Sequence, residues 1–124
     1  MAIETLKRRA EFLRTRGGGR ASTQAFVIEG KVRTERVEAG PRFGFTVTKK
    51  IGNAVVRNRI RRRLKAAIAE LPSGRTRAGF DYVIIARDAA LDRPFAQLKT
   101  DLDGAFVRVH DAKRQTGPQQ QRRK

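Results

Sequence analysis

The chain has 124 residues, no cysteine, and 29 Lys plus Arg against 12 Asp plus Glu, a formal net charge of +17. That length suits one domain able to bury its own core, and the missing cysteines exclude disulfide staples and thiolate metal sites. No apolar run has the length of a membrane span or the form of a signal peptide, so a soluble cytoplasmic protein is expected. The excess positive charge repels itself in a compact chain and calls for a polyanion. Nucleic acid is the first candidate, because neutralising phosphates releases counterions; an acidic membrane or protein would also serve.

In chain order, Leu6, Ala10 and Leu13 fall at helical spacing with Phe12 beside them, which predicts a short helix over residues 5–16. Gly17, Gly18 and Gly19 end it. A strand is expected over residues 24–29, with Phe26 and Ile28 on one face, and Lys31 to Glu38 is a candidate for a second. Arg42 to Thr48 alternates, Phe43, Phe45 and Val47 one way and Gly44, Thr46 and Thr48 the other, as a half-buried strand does. After a turn at residues 49–52, Asn53 suits the N-cap of a helix reaching Leu71, stopped by Pro72, Ser73 and Gly74. At about 100° per residue, Val56, Ile60, Leu64, Ala67, Ile68 and Leu71 share one arc of roughly 120°. Asn58, Arg62, Lys65 and Ala69 face the other way; Arg57 and Arg61 lie on one flank, Arg59 and Arg63 on the other. Phe80 to Arg87 is apolar at both parities and predicts a strand buried on both faces. Asp88 to Arg93 is a turn. Pro94 suits a helix start, and Phe95, Leu98, Leu102, Ala105, Phe106 and Val109 form an apolar stripe after it. Residues 1–112 are thus expected to form one domain, with 113–124 a disordered basic tail.

The order is α-β-β-β-α-β-α, and strand 42–48, helix 53–71 and strand 80–87 imply a parallel pair joined by a crossover, which is normally right-handed. Between Ala39 and Ala69 there is no acid. The helix in that stretch is rich in arginine, which forks onto phosphate, and without glutamates it suffers like-charge repulsion along one face. An anionic partner explains such a helix better than solvation alone.

Lys49 to Arg62, centred on Arg57-Asn58-Arg59, closely resembles the signature of the bacterial ribonuclease P protein. The likeness continues in Leu6-Lys7 with Phe12, in Arg42 to Thr48 and in Asp81 to Arg87. It implies an α+β sandwich, ribosomal protein S5 domain 2-like, with a rare left-handed βαβ crossover in place of the usual hand. It also implies a subunit of an endoribonuclease whose catalytic RNA carries the chemistry with Mg²⁺, held mainly by that RNA, removing the 5′ leader of precursor tRNA. By the same resemblance Lys49, Lys50, Arg57, Asn58, Arg59, Arg61, Arg62 and Lys65 face the catalytic RNA. Phe12, Phe26, Phe45 and Arg87 belong to a cleft for the leader, where base stacking tolerates varied sequence. Arg16 stands where many relatives carry a second phenylalanine, and a guanidinium there can stack or bind phosphate. The phenylalanines also suit a plain core role.

An independent nuclease would need clustered carboxylates or histidine. Asp101 and Asp103 point apart on a helix, Asp81, Asp88 and Asp92 edge a strand and turn, and His110 stands alone, so no catalytic residue, metal site or small-molecule substrate is expected in the protein itself. An RNA-recognition-motif protein, a ribosomal protein and a helix-turn-helix protein remain rivals. The first lacks the glycine after the basic residue of its aromatic strand. The second differs by the long signature, and the third by the β-strands here.

Overall fold

A computed structural model describes residues 4–6, 15 and 17–114. Five strands form one sheet: β1 Glu4–Thr5, β2 Gly19–Ser22, β3 Phe26–Val32, β4 Arg42–Thr46 and β5 Phe80–Ala86, in the spatial order β1-β4-β5-β3-β2. The helices are α1 Ala54–Ala69, α2 Ala89–Asp92 and α3 Phe95–Arg114. The fold is therefore α+β. β5 lies at its centre, parallel to β4 and antiparallel to β3. α1 is the crossover joining the parallel strands β4 and β5.

Several expectations change. Thr5, the first residue of the helix expected over 5–16, instead joins Glu4 in a strand paired with β4, and most of the rest of that segment lies outside the described residues. No separate strand occupies 31–38: β3 runs on to Val32, and Arg33 then leads into a loop. The turn at 88–93 contains the short helix α2. α3 extends to Arg114, taking Lys113 and Arg114 from the expected tail; residues 115–124 lie outside the described residues.

The unexpected strand is β2, which begins inside the glycine run. Gly17 takes a positive φ of 88°, a conformation that favours glycine. Gly18 and Gly19 have a different reason. A Cβ on Gly18 would lie 2.1 Å from the Gly30 carbonyl oxygen, and one on Gly19 would lie 1.9 Å from that of Val109 in α3. The missing side chains let α3 rest directly on β2 and β3.

Strand registers sort the sheet into two faces. Gly30, Tyr82 and Phe43 align across β3, β5 and β4, as do Ile28, Ile84 and Phe45. This face meets α1 and α3: Phe106 packs edge-on to Tyr82 and Phe43 at centroid distances of 5.0 and 6.2 Å. Ile60, Leu64, Leu98, Leu102 and Val109 complete a core with no solvent exposure, each large aliphatic contributing ~1.5–3 kcal/mol by burial. The opposite face carries Val27, Glu29, Lys31, Val83, Ile85, Gly44, Thr46, Arg42 and Asp81. There Asp81 accepts two bonds from Arg42, both 2.9 Å, and one of 3.0 Å from Arg33. The Arg33 guanidinium also donates to the carbonyls of Phe80, Glu35, Arg36, Ala39 and Gly40, pinning the loop after β3.

Candidate nucleic-acid interface

α1 begins where the sequence places it. Asn53 accepts the Val56 N–H through Oδ1 at 3.0 Å, satisfying one of the helix's orphan donors. Ile60, Leu64, Ala67 and Ile68 are buried, with Val56 half-buried at the edge of the same stripe. The remaining surface is cationic. Asn58, Arg59, Arg62 and Lys65 are exposed, as are Lys49 and Lys50 in the turn before the helix, while Arg57 and Arg61 are half-buried on the flank.

Within this surface the side chains differ in how they are held. The Arg57 Nε donates to the Gly52 carbonyl at 3.2 Å, folding the side chain back over the entry turn. Arg61 donates to the Asn58 Oδ1 at 2.9 Å; the asparagine thus aims a guanidinium along the helix. Lys65 holds its ammonium 5.9 Å from the centroid of the Phe45 ring, a cation–π distance. None of Lys49, Lys50, Arg57, Arg59, Arg61, Arg62 and Lys65 makes an ion pair with an acid among the described residues. The first turn of α1 holds no acid and its last turn no base, the reverse of what a helix dipole favours. These cations therefore do little for the helix itself and leave a dense positive field open to an anionic ligand.

Arg63 is the exception. Its guanidinium donates to the carbonyls of Ala90 (3.1 Å) and Arg93, at the end of α2. Arg93 in turn binds Asp101 of α3 and reaches the Gln24 side chain at 3.3 Å. Arg63 is a fastener between helices, and its flank position facing α2, invisible in a charge count, is what sets it apart.

Of the residues expected in a leader cleft, the three that are described do not share one surface. Phe12 and Arg16 lie outside the described residues. Phe26 is 0% exposed and belongs to the core, and Phe45 sits half-buried on the same helix-covered face, under Lys65. Arg87 continues the parity of Val83 and Ile85 and so belongs with the opposite face; it is exposed and donates to the Thr23 carbonyl at 2.6 Å. Thr46 and Ile85, half-exposed, lie on that face too.

Two groups that looked ordinary in sequence are buried. Asp81 sits between Arg33 and Arg42 rather than on the surface. His110 is packed edge-on against Phe80 at 4.7 Å and bonds the Tyr82 hydroxyl through Nε2 at 2.8 Å. Their partners lie tens of residues away in sequence, so no local pattern announces them. Among the described residues no three His, Asp or Glu side chains gather into a metal-holding group. Asp81, Asp101, Asp103, Glu29 and Glu70 each pair with a base instead. Among the described residues this set does not fit a protein-held Mg²⁺. No described helix is long and apolar enough to cross a membrane.

Comparison with known proteins bears on this surface. The family model described as Ribonuclease P matches residues 2–110. A ribonuclease P protein component from Brucella suis is 51% identical over 107 residues, covering 81% of this chain and 75% of that protein. One from Paramagnetospirillum magneticum is 40% identical over 114 residues, covering 86% and 83%. Among solved structures, a Staphylococcus aureus RNase P protein superposes with a TM-score of 0.69 at 27% identity, over 87% of this chain and 98% of that one.

Proposed function

The chain belongs to the ribonuclease P protein family, and from that premise we propose that it binds the catalytic RNA of ribonuclease P through α1 and the turn before it, promoting removal of the 5′ leader from precursor tRNA in the cytoplasm. The observation that carries this reading is the exposed face of α1, where Asn58, Arg59, Arg62 and Lys65 stand without an acidic partner among the described residues. Arginines in that setting fork onto phosphate oxygens, and each neutralised phosphate releases counterion. The protein's part is affinity and relief of phosphate repulsion as RNA strands converge. Bond cleavage belongs to the RNA with its Mg²⁺, as the family resemblance implies.

The leader is assigned to the sheet face opposite the helices. Arg87 at the end of β5 supplies a guanidinium beside half-exposed Thr46 and Ile85, and Phe12 and Arg16 keep the stacking and phosphate-binding roles implied for them. Phe26 drops out because its ring is enclosed, and Phe45 joins the α1 side. A face of this kind suits single strands of varied sequence.

The test is leader removal from precursor tRNA by the catalytic RNA at low Mg²⁺, with and without the protein. The wild-type chain is expected to stimulate cleavage. The Arg59→Ala, Arg62→Ala variant should lose most of that stimulation while keeping its melting temperature. Its log affinity for the RNA should fall off with log salt less steeply, by about 1.4–1.8. A folded protein that gives no stimulation would overturn the assignment.

A further inference from the structure

The outermost line of α1 is not cationic throughout. Val55 is 74% exposed, the most exposed large hydrophobic residue described. By helical geometry it stands within about 60° of Asn58, Arg59 and Arg62, on the side away from Ile60 and Leu64. Ala66, exposed, and Ala69, half-buried, continue the same line toward the C-terminus. An exposed valine alone is ordinary. This one, however, lies within a field of cations that has no acid among the described residues, on a helix where a β-branched residue is less favourable than alanine or lysine. Lysine there would have added charge to a surface that otherwise collects it.

A polyanion fits the field around Val55, and an apolar patch between phosphates fits Val55 itself. A-form RNA presents that combination: its minor groove is wide and shallow, with riboses and base edges displayed between two phosphate rows. The small side chains at 66 and 69 let the helix axis come close to such a surface. We infer that Val55, continued by Ala66, packs on the ribose surface of a folded RNA while Arg59, Arg62 and Lys65 take the flanking phosphates. This rests on the reading of α1 as the RNA-binding helix and adds to it a salt-independent, shape-dependent part of the affinity.

Lysine at position 55 separates charge from packing, because the two predict opposite signs. Affinity for the catalytic RNA and for single-stranded oligouridylate would be measured across salt concentrations for the wild type, Val55→Lys, Val55→Ala and Arg62→Ala. Val55→Lys is expected to weaken binding to the catalytic RNA despite its added charge, and to tighten binding to oligouridylate. Val55→Ala should weaken binding to the catalytic RNA a few-fold, on the scale of one or two lost methyl contacts, with its salt slope unchanged. Arg62→Ala should lower that slope by about one. If Val55→Lys binds the catalytic RNA as tightly as the wild type or more so, the packing inference is overturned while the role of α1 stands. If Arg62→Ala also leaves affinity and slope unchanged, the role of α1 falls with it. Melting curves check that each variant folds, which the exposure of Val55 makes straightforward.

Discussion

His110 is the chain's single histidine, and its surroundings make it a reporter of the native state. The Arg77 N–H donates to the Tyr82 hydroxyl at 3.0 Å, and the same hydroxyl shares a hydrogen bond with His110 Nε2. The other ring nitrogen, Nδ1, is buried without a hydrogen-bond partner among the described residues. Burial, aided by the Arg77 charge and opposed by Asp111, holds the imidazole below its ordinary value of 6.5. Burial likewise pushes the Tyr82 phenol up to about 12. The sign follows from proton counting. Just below pH 6.5 the unfolded chain binds a proton that the folded chain excludes, so stability falls as pH is lowered through that value. Melting temperature measured from pH 7.5 to 5.5 should decline in the wild type and stay flatter in His110→Gln; equal slopes would remove His110 as the cause. None of this is legible at position 110 itself. An isolated histidine near a basic tail looks solvated, and only the return of β5 brings a tyrosine under it. Asp81 teaches the same lesson: read alone it is a strand-edge acid, and only the register with Arg42 and the loop from Arg33 reveals a buried ion triad.

At the scale of elements, periodicity and caps carried most of the information. β4, α1, β5 and α3 lie close to where alternation, the 3.6-residue stripe and Asn53 place them. β2 escaped because its signal is negative. Glycines near a helix end suggest a cap, and nothing local says that Gly18 is small because the β3 backbone lies against it and Gly19 because a distant helix backbone does. The steric reading gives a contrast. Gly19→Ala puts a methyl group onto the Val109 carbonyl of α3, and should destabilise the protein by about 3 kcal/mol. Gly40→Ala meets nothing within 4 Å and should change stability by less than ~0.5 kcal/mol. Urea denaturation of the two variants measures the difference, and similar midpoints would show that α3 yields at that contact. On α1 the wheel separated the core stripe from the basic ridge, and the structure keeps both. It could not separate Arg63, whose partners come from α2, nor could residue type tell that Phe26 is enclosed; parity alone groups it with Ile28 without saying which face the helices cover.

For the whole molecule, a net charge of +17 on 124 residues means that compaction brings like charges together, offset in part by ion pairs such as those of Asp81, Asp101 and Asp103. Screening should then favour the folded form. The melting temperature of the free protein is expected to rise by several degrees as salt goes from about 0.02 to 0.3 M, where the Debye length falls below ~10 Å. A flat or falling curve would mean that surface ion pairs outweigh the repulsion. Composition alone made this global property legible, whereas the placing of Arg87 on the face opposite the helices required the sheet. The position of α1 has a last consequence, one of timing. It is the crossover between β4 and β5, and a 16-residue helix with like charges along one side does not hold itself together in isolation. A growing polypeptide that has emerged only as far as residue 70 therefore presents a floppy cationic segment. The rigid display of Asn58, Arg59 and Arg62 arrives only once β5 has been made and zipped between β4 and β3. A preformed cationic surface is thereby postponed until synthesis has passed the centre of the sheet, so half-made chains do not present it.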